Sequence, residues 1–377
     1  MSEEVKSELL MPKGDELVLS TSPHIHATED VRSIMIKVLI ALVPVICAGI
    51  ILFGSAAALI MGYCVVFCVV AEAVWLKLAG KNLDSLKDLS AVVTGILLAM
   101  NLSAAAPWWL CLIGSVLAIW LAKQIFGGLG HNPFNPAAVA RVGLLIALPK
   151  YMTTWIPTRF MNSDTASYCQ GLFTKADWSS VLAGKLDAVT CATPLGVVGT
   201  TAKVLNHSPE AVNNFAQVAN PSCYWQYFLG NMGGCLGETS ALALLIGGLI
   251  LIAFKLIKWQ VPVFYLGSVA LMTGIINYFL PGVTPPPVFH LLTGGLMIGA
   301  IFMATDMVTS PMTNWGAAVF GIGLGVVTCT IRIWGNYPEG VSFAIVFMNA
   351  LVPLIDKFFV KRPFGYNKPI VEEGVAA

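Results

Sequence analysis

The sequence predicts an all-α integral membrane protein of about ten transmembrane helices in two inverted five-helix repeats. Three observations carry that expectation. Of 377 residues, 57% are hydrophobic and 11% charged, against roughly 25% charged in a soluble domain. Apolar runs recur that suit helices crossing about 30 Å of hydrocarbon. Short connections rich in Lys and Arg alternate with connections that have none.

The runs lie near 34–54, 56–77, 89–104, 107–127, 137–149, 238–257, 261–280, 288–304, 315–334 and 341–360. The first follows a polar tail, residues 1–33, with no short apolar core and cleavage site, so no removed signal peptide is expected. Arg32 precedes it, Lys77, Lys81 and Lys87 join the second and third runs, and Lys123 and Arg141 flank the fourth connection. Lys255 and Lys258 follow the sixth run, and Lys357, Lys361 and Arg362 the tenth. With ten spans all of these fall on one side, which makes both termini cytoplasmic by the excess of basic residues in short inner loops. The outer connections "FGS", "NLSAAAP" and "PGVTPPPVF" carry no basic residue.

The chain then divides into a cytoplasmic tail (1–33), a first repeat (34–149), an extracytoplasmic segment (150–224), a second repeat (225–360) and a cytoplasmic tail (361–377). "TGILLAMN" from Thr94 is echoed by "TGGLMIGA" from Thr293, and "FGGLGHNPFNPAAVARV" from Phe126 by "IWGNYPEGVSFAIVFM" from Ile333. Five is odd, so two such copies cross the membrane in opposite senses. Inverted repeats with short, Gly/Pro-interrupted helices are a transporter-type architecture.

A net charge of +1 gives no reason to expect nucleic acid. The nine cysteines include no CxxC pair, so a zinc or iron–sulfur site is not expected, and Cys64 and Cys68 read as core filling. Cys169, Cys191 and Cys223 lie in the polar segment, where a disulfide cannot be paired from sequence.

Four stretches carry chemistry together: "KQIFGGLGHNPFNPAAVARV" (123–142), "DAVTCATPLG" (187–196), "GNMGGCLGETSALALLIGG" (230–248) and "RIWGNYPEGVSFAIVFMNALVPLID" (332–356). They resemble the RnfD family of membrane flavoproteins, relatives of the NqrB component of the sodium-pumping NADH:quinone oxidoreductase. The resemblance runs from "TSPHIHA" at 21–27 to Asp356, and the "NPFNPA" form and short N-terminal tail favour the Rnf branch.

That resemblance implies one subunit of a redox-driven Na⁺ or H⁺ pump linking ferredoxin and NAD, inactive alone, with the A, B, C, E and G components of the Rnf complex as partners in a bacterial or archaeal cytoplasmic membrane. It implies FMN attached by a flavin transferase through a phosphoester to Thr193, with Asp187, Thr190, Cys191 and Ala192 as its recognition segment. Thr190 and Cys191 depart from the commoner serine and glycine of that pattern. A hydroxyl can be phosphorylated, small neighbours admit a bulky flavin, and Pro194 restricts the residue before it. Alone, without the other three stretches, the segment reads better as an ordinary Asx- or Thr-capped turn before "PLG".

The resemblance also implies a second, noncovalent riboflavin nearer the cytoplasm. Asn132 and Asn135 of "HNPFNP" offer amides suited to a flavin's pyrimidine edge. Ionisable residues inside the bilayer are expensive and usually functional, so Glu72, Glu238, Asp306 and the adjacent Thr305 are ion-path candidates. For Glu238 a helix-capping role is expected as well. His131 and His290 read as solvated or hydrogen-bonded rather than as metal ligands. The rivals are the NqrB-type component of the quinone reductase and, in another class, a passive urea- or ammonium-type channel, which has no use for a flavin attachment segment.

Overall fold

The computed structural model describes residues 30–158, 160, 193–204, 215–216, 218–335, 337 and 339–360. The first half comprises α1 (Val31–Phe53), α2 (Ser55–Leu78), α3 (Ser90–Met100), α4 (Trp108–Val116) and α5 (Pro136–Ala147). Gly54, at φ 75°, turns the chain between α1 and α2 in a single residue. That left-handed backbone admits glycine at little cost. Residues Leu117–Gln124 continue α4 as a π-helical segment.

After the segment that follows α5 come α6 (Pro194–Val204) and α7 (Pro221–Leu229). The second half comprises α8 (Ala241–Ala253), α9 (Gln260–Phe279), α10 (Pro287–Leu292), α11 (Leu296–Ile298, continued as a π segment to Met303), α12 (Asn314–Trp334) and α13 (Val341–Phe358). No strand occurs among the described residues.

Five helices, α1, α2, α9, α12 and α13, are long and apolar enough to cross a membrane. The chain is a multi-pass membrane protein. The apolar helices α3, α4, α5 and α8 are shorter. The run expected at 288–304 is not one helix: α10 stops at Leu292, Gly294 takes φ 70°, and α11 begins at Leu296. The run expected from 238 starts at 241, because Ser240 accepts from the Ala243 N–H at 3.3 Å and caps α8.

Lipid-facing side chains such as Val66 and Val70 of α2 and Leu271 and Ile275 of α9 are exposed, while the packed faces meet through small residues. A Cβ on Gly95 of α3 would lie 2.8 Å from the Val65 Cα of α2, and one on Gly321 of α12 would lie 2.9 Å from the Val261 carbonyl of α9. Helices in lipid gain their association from such close backbone approach rather than from hydrophobic burial.

The two halves meet where α3 ends. The glycine-rich loop before α8 donates from the Leu236 and Gly237 N–H groups to the Leu102 and Met100 carbonyls at 3.0 and 2.8 Å. These bonds satisfy backbone groups that an apolar interior leaves without water. A Cβ on Gly237 would sit 2.5 Å from Ile298 Cδ1 and 2.7 Å from Met100 Cβ.

Candidate functional site

A cavity of about 340 Å³ opens where α3 and α5 begin, bounded by α1, α8 and the loop after α11. Its polar lining comprises Ser90, Thr94, Lys123, Asn132, Asn135, Thr305 and Asp306. Asn135 caps α5, with Oδ1 accepting from the Ala137 and Ala138 N–H groups at 3.1 and 3.2 Å, and Nδ2 donates to the Met303 carbonyl at 3.1 Å. Its amide is thus committed to joining the halves. Asn132 differs, because Nδ2 donates to the Phe134 carbonyl at 3.1 Å while its buried Oδ1 has no partner. A buried acceptor without a donor costs about 1–3 kcal/mol.

Thr305 donates to the Ile301 carbonyl at 2.5 Å. Asp306 accepts from the Val308 N–H at 3.4 Å and the Thr309 hydroxyl at 3.3 Å. Burial pushes the Asp306 carboxyl up from its ordinary value, and those two donors oppose the shift.

Behind the same wall, Lys123 Nζ donates to Glu72 Oε1 at 2.7 Å and to Ser90 Oγ at 2.8 Å. Glu72 is therefore paired within its own chain. Gln124 Nε2 donates to the same Oε1 at 2.8 Å.

Deeper between the halves lies a second charged group. Arg141 of α5 donates through Nη1 to Asn101 Oδ1 at 2.8 Å and through Nη2 to Glu238 Oε1 at 3.0 Å and Cys235 Sγ at 3.3 Å. Nη2 also pairs with Glu339, from the connection between α12 and α13. Glu238, expected to cap α8, is instead an ion-pair partner three residues before that helix. Cys235, Glu238 and Glu339 lie close enough together to suit a metal, but the guanidinium already occupies their common centre.

Thr193 stands at the N-terminus of α6. Its Oγ1 accepts from the Gly196 N–H at 3.0 Å, its carbonyl accepts from Val197, and it is 7% exposed. Leu195 and Val198 share a small core with Tyr227 and Phe289. Leu195 also approaches Gly294 at the break between α10 and α11, beside the Arg332 guanidinium. Arg332 donates to the His290 and Thr293 carbonyls at 2.9 and 3.2 Å, leaving its buried Nε without a partner. His290 is buried and meets Thr284 Oγ1 at 2.6 Å. Asp187, Thr190, Cys191 and Ala192 lie outside the described residues, as do 1–29 of the N-terminal tail and the whole C-terminal tail, 361–377.

A family model described as NQR2, RnfD, RnfE matches residues 18–365. The chain belongs to this family. Among its relatives, the D component of the ion-translocating oxidoreductase complex of Stutzerimonas stutzeri is 42% identical over 90% of this chain and 95% of its own length. The D component of the Na⁺-translocating ferredoxin:NAD⁺ oxidoreductase complex of Acetobacterium woodii is 39% identical over 93% and 96%. The proton-translocating counterpart of Clostridium ljungdahlii is 40% identical over 94% and 98%. Relatives named for different ions are thus similar to nearly the same degree, and identity does not choose the ion.

In this NQR2, RnfD, RnfE family member, sequence reasoning used Arg141 only to orient the chain and did not single out Asn101, Cys235, Arg332 or Glu339. The available signal was an arginine inside an apolar helix and a glutamate after proline in "YPEG". Both are unusual enough in a membrane segment to imply partners.

Proposed function

We propose that this chain is the D-type component of an Rnf ion-translocating oxidoreductase, a membrane flavoprotein that couples electron transfer between ferredoxin and NAD to Na⁺ or H⁺ movement. The supporting observation is the Thr193 hydroxyl at the start of an 11-residue helix. Helix N-termini favour phosphate through free N–H groups and the dipole, so the residue that receives the transferase's phosphoryl group also stabilises the product's charge. FMN bound there supplies reversible electron carriage. Thr193 holds it, and Asp187, Thr190, Cys191 and Ala192 belong to the sequence segment the flavin transferase reads.

The cavity beside Asn132 is the candidate place for the noncovalent riboflavin. Its volume falls in the range of small-molecule pockets, and the unpartnered Asn132 Oδ1 suits a ring N–H donor. Asn135 contributes there by shaping the wall. In this reading Thr193 faces the outside of a bacterial inner membrane, the cavity faces the cytoplasm with both termini, and the A, B, C, E and G components carry electrons between them. Asp306 and Thr305 stand at the cavity mouth, where an ion enters. Glu238, paired with Arg141 between the halves, is a further ion-path candidate, and Glu72 stands behind the cavity wall.

The test is attachment. Thr193→Val, nearly isosteric, leaves an assembled complex whose band for this chain no longer fluoresces in a denaturing gel. Thr193→Ser retains part of the signal, and so does Thr190→Val. Full fluorescence in Thr193→Val with none in Thr190→Val sinks the assignment, while absence of flavin in every form favours the passive channel.

A further inference from the structure

Lys123 is 1% exposed and Glu72 is fully buried, yet the lysine lines the cavity. Its placement depends on the π segment that ends α4. In a π turn the rotation per residue is smaller than in an α turn, and here the consecutive Lys123 and Gln124 both reach Glu72 Oε1. Ser85 donates to that oxygen as well at 3.3 Å, whereas the buried Glu72 Oε2 has no partner. An ammonium has three N–H donors. Glu72 and Ser90 take two of those on Lys123.

A buried pair of this kind stabilises little more than packed apolar residues of the same volume, so stability alone does not explain it. The surroundings favour negative charge inside the cavity. α3 and α5 both begin at its wall, with Ser90 and Pro136 in the lining, and each helix start carries a partial positive charge. Among the described residues, Asp306 is the only acid in the lining.

We propose that Lys123 is the cation that stabilises the added electron density of a reduced flavin in this cavity, and that Glu72 is the counter-charge that holds Lys123 in place while the flavin is oxidised. The proposal rests on the cavity being a flavin site. When two electrons and one proton reduce the ring, the product carries one negative charge, and the Lys123 ammonium turns part of its interaction from Glu72 toward it. The pair then sets the potential of the cavity flavin by charge near the ring. Lys123 is a positioning and tuning residue, with no bond made or broken on it.

The experiment uses the assembled complex carrying Thr193→Val, which removes this chain's covalent flavin. Noncovalent flavin is extracted and counted, and its reduction is titrated spectroscopically. Lys123→Gln is expected to weaken binding of the reduced flavin about tenfold relative to the oxidised form, which lowers the midpoint by about 30 mV for a two-electron couple. Glu72→Gln is expected to shift the midpoint in the opposite direction, and the charge-neutral double variant to fall between them. That double variant keeps the comparison available where one lone buried charge prevents assembly. Flavin retained with unmoved or same-signed midpoints overturns the proposal. Flavin retained at full occupancy in Ala137→Phe, which fills the cavity, overturns the flavin site itself and the proposal with it.

Discussion

The two buried charge clusters solve the same electrostatic problem in different ways. Glu72 and Lys123 come from α2 and the end of α4, 51 residues apart, within one half of the chain. Arg141 instead reaches Glu238 and Glu339, 97 and 198 residues away, and so ties the first half to the second. The first cluster leaves one carboxylate oxygen without a partner and borders a cavity. The second gives its guanidinium four side-chain partners, Asn101, Cys235, Glu238 and Glu339. Lys123, with two acceptors for its three N–H donors and a place in the cavity wall, is suited to respond to a ligand, whereas the fully engaged Arg141 is suited to hold two bodies together.

The largest effect is expected from Arg141→Met. It leaves two carboxylates facing each other without their cation, and removal of one partner from a buried ion group costs about 3–5 kcal/mol. Thermal denaturation of the detergent-solubilised complex is expected to show the loss, and Arg141→Lys to recover part of it. If Arg141→Met melts like the parent, the cluster does not join the halves.

Gly237→Ala comes next. Its Cβ meets Ile298 and Met100 at the same seam, and overpacking of that kind costs about 1–3 kcal/mol. The same melting measurement checks it. A glycine such as Gly62, with nothing near its Cβ, serves as control, and equal effects at both positions would remove the seam from the account.

Asp306→Asn is expected to have the smallest effect on stability, because an amide keeps the shape, its one oxygen still accepts from the Val308 N–H, and its NH2 donates to the Thr309 hydroxyl instead of accepting from it. Coupled ion transport should fall far more than electron transfer measured with the gradient collapsed. Equal loss of both would make Asp306 a structural turn residue. Burial raises its carboxyl pKa, so a role in ion entry weakens as pH falls toward that raised value and the group becomes neutral.

Much of the helix plan was legible because apolar length is a local property. The positions of α1, α2, α9, α12 and α13 follow from runs that the bilayer itself demands. The break in the eighth run was harder to see. "LLTGGLM" is almost wholly apolar or small, and the interruption depends on Gly294 meeting the Arg332 guanidinium and Leu195 from elsewhere in the chain. Asn132 and Asn135 look alike in "HNPFNP", yet Asn135 caps α5 and Asn132 keeps an unpartnered oxygen. That distinction is made by which residue falls one position before the helix.

The order of residues along the chain is enough to show a multi-pass helical membrane protein, motifs that match one family, and Thr193 as the threonine before "PLG". Each of these depends on composition, run length or adjacency, which neighbours along the chain settle. Folding in three dimensions is what pairs Glu72 with Lys123 and Glu238 with Arg141, adds Asn101, Cys235 and Glu339 to the second group, and puts Lys123 and Asp306 in one cavity. A buried charge must find its partner in space, because lipid offers it no water, and periodicity within one helix carries no record of which distant helix supplies that partner.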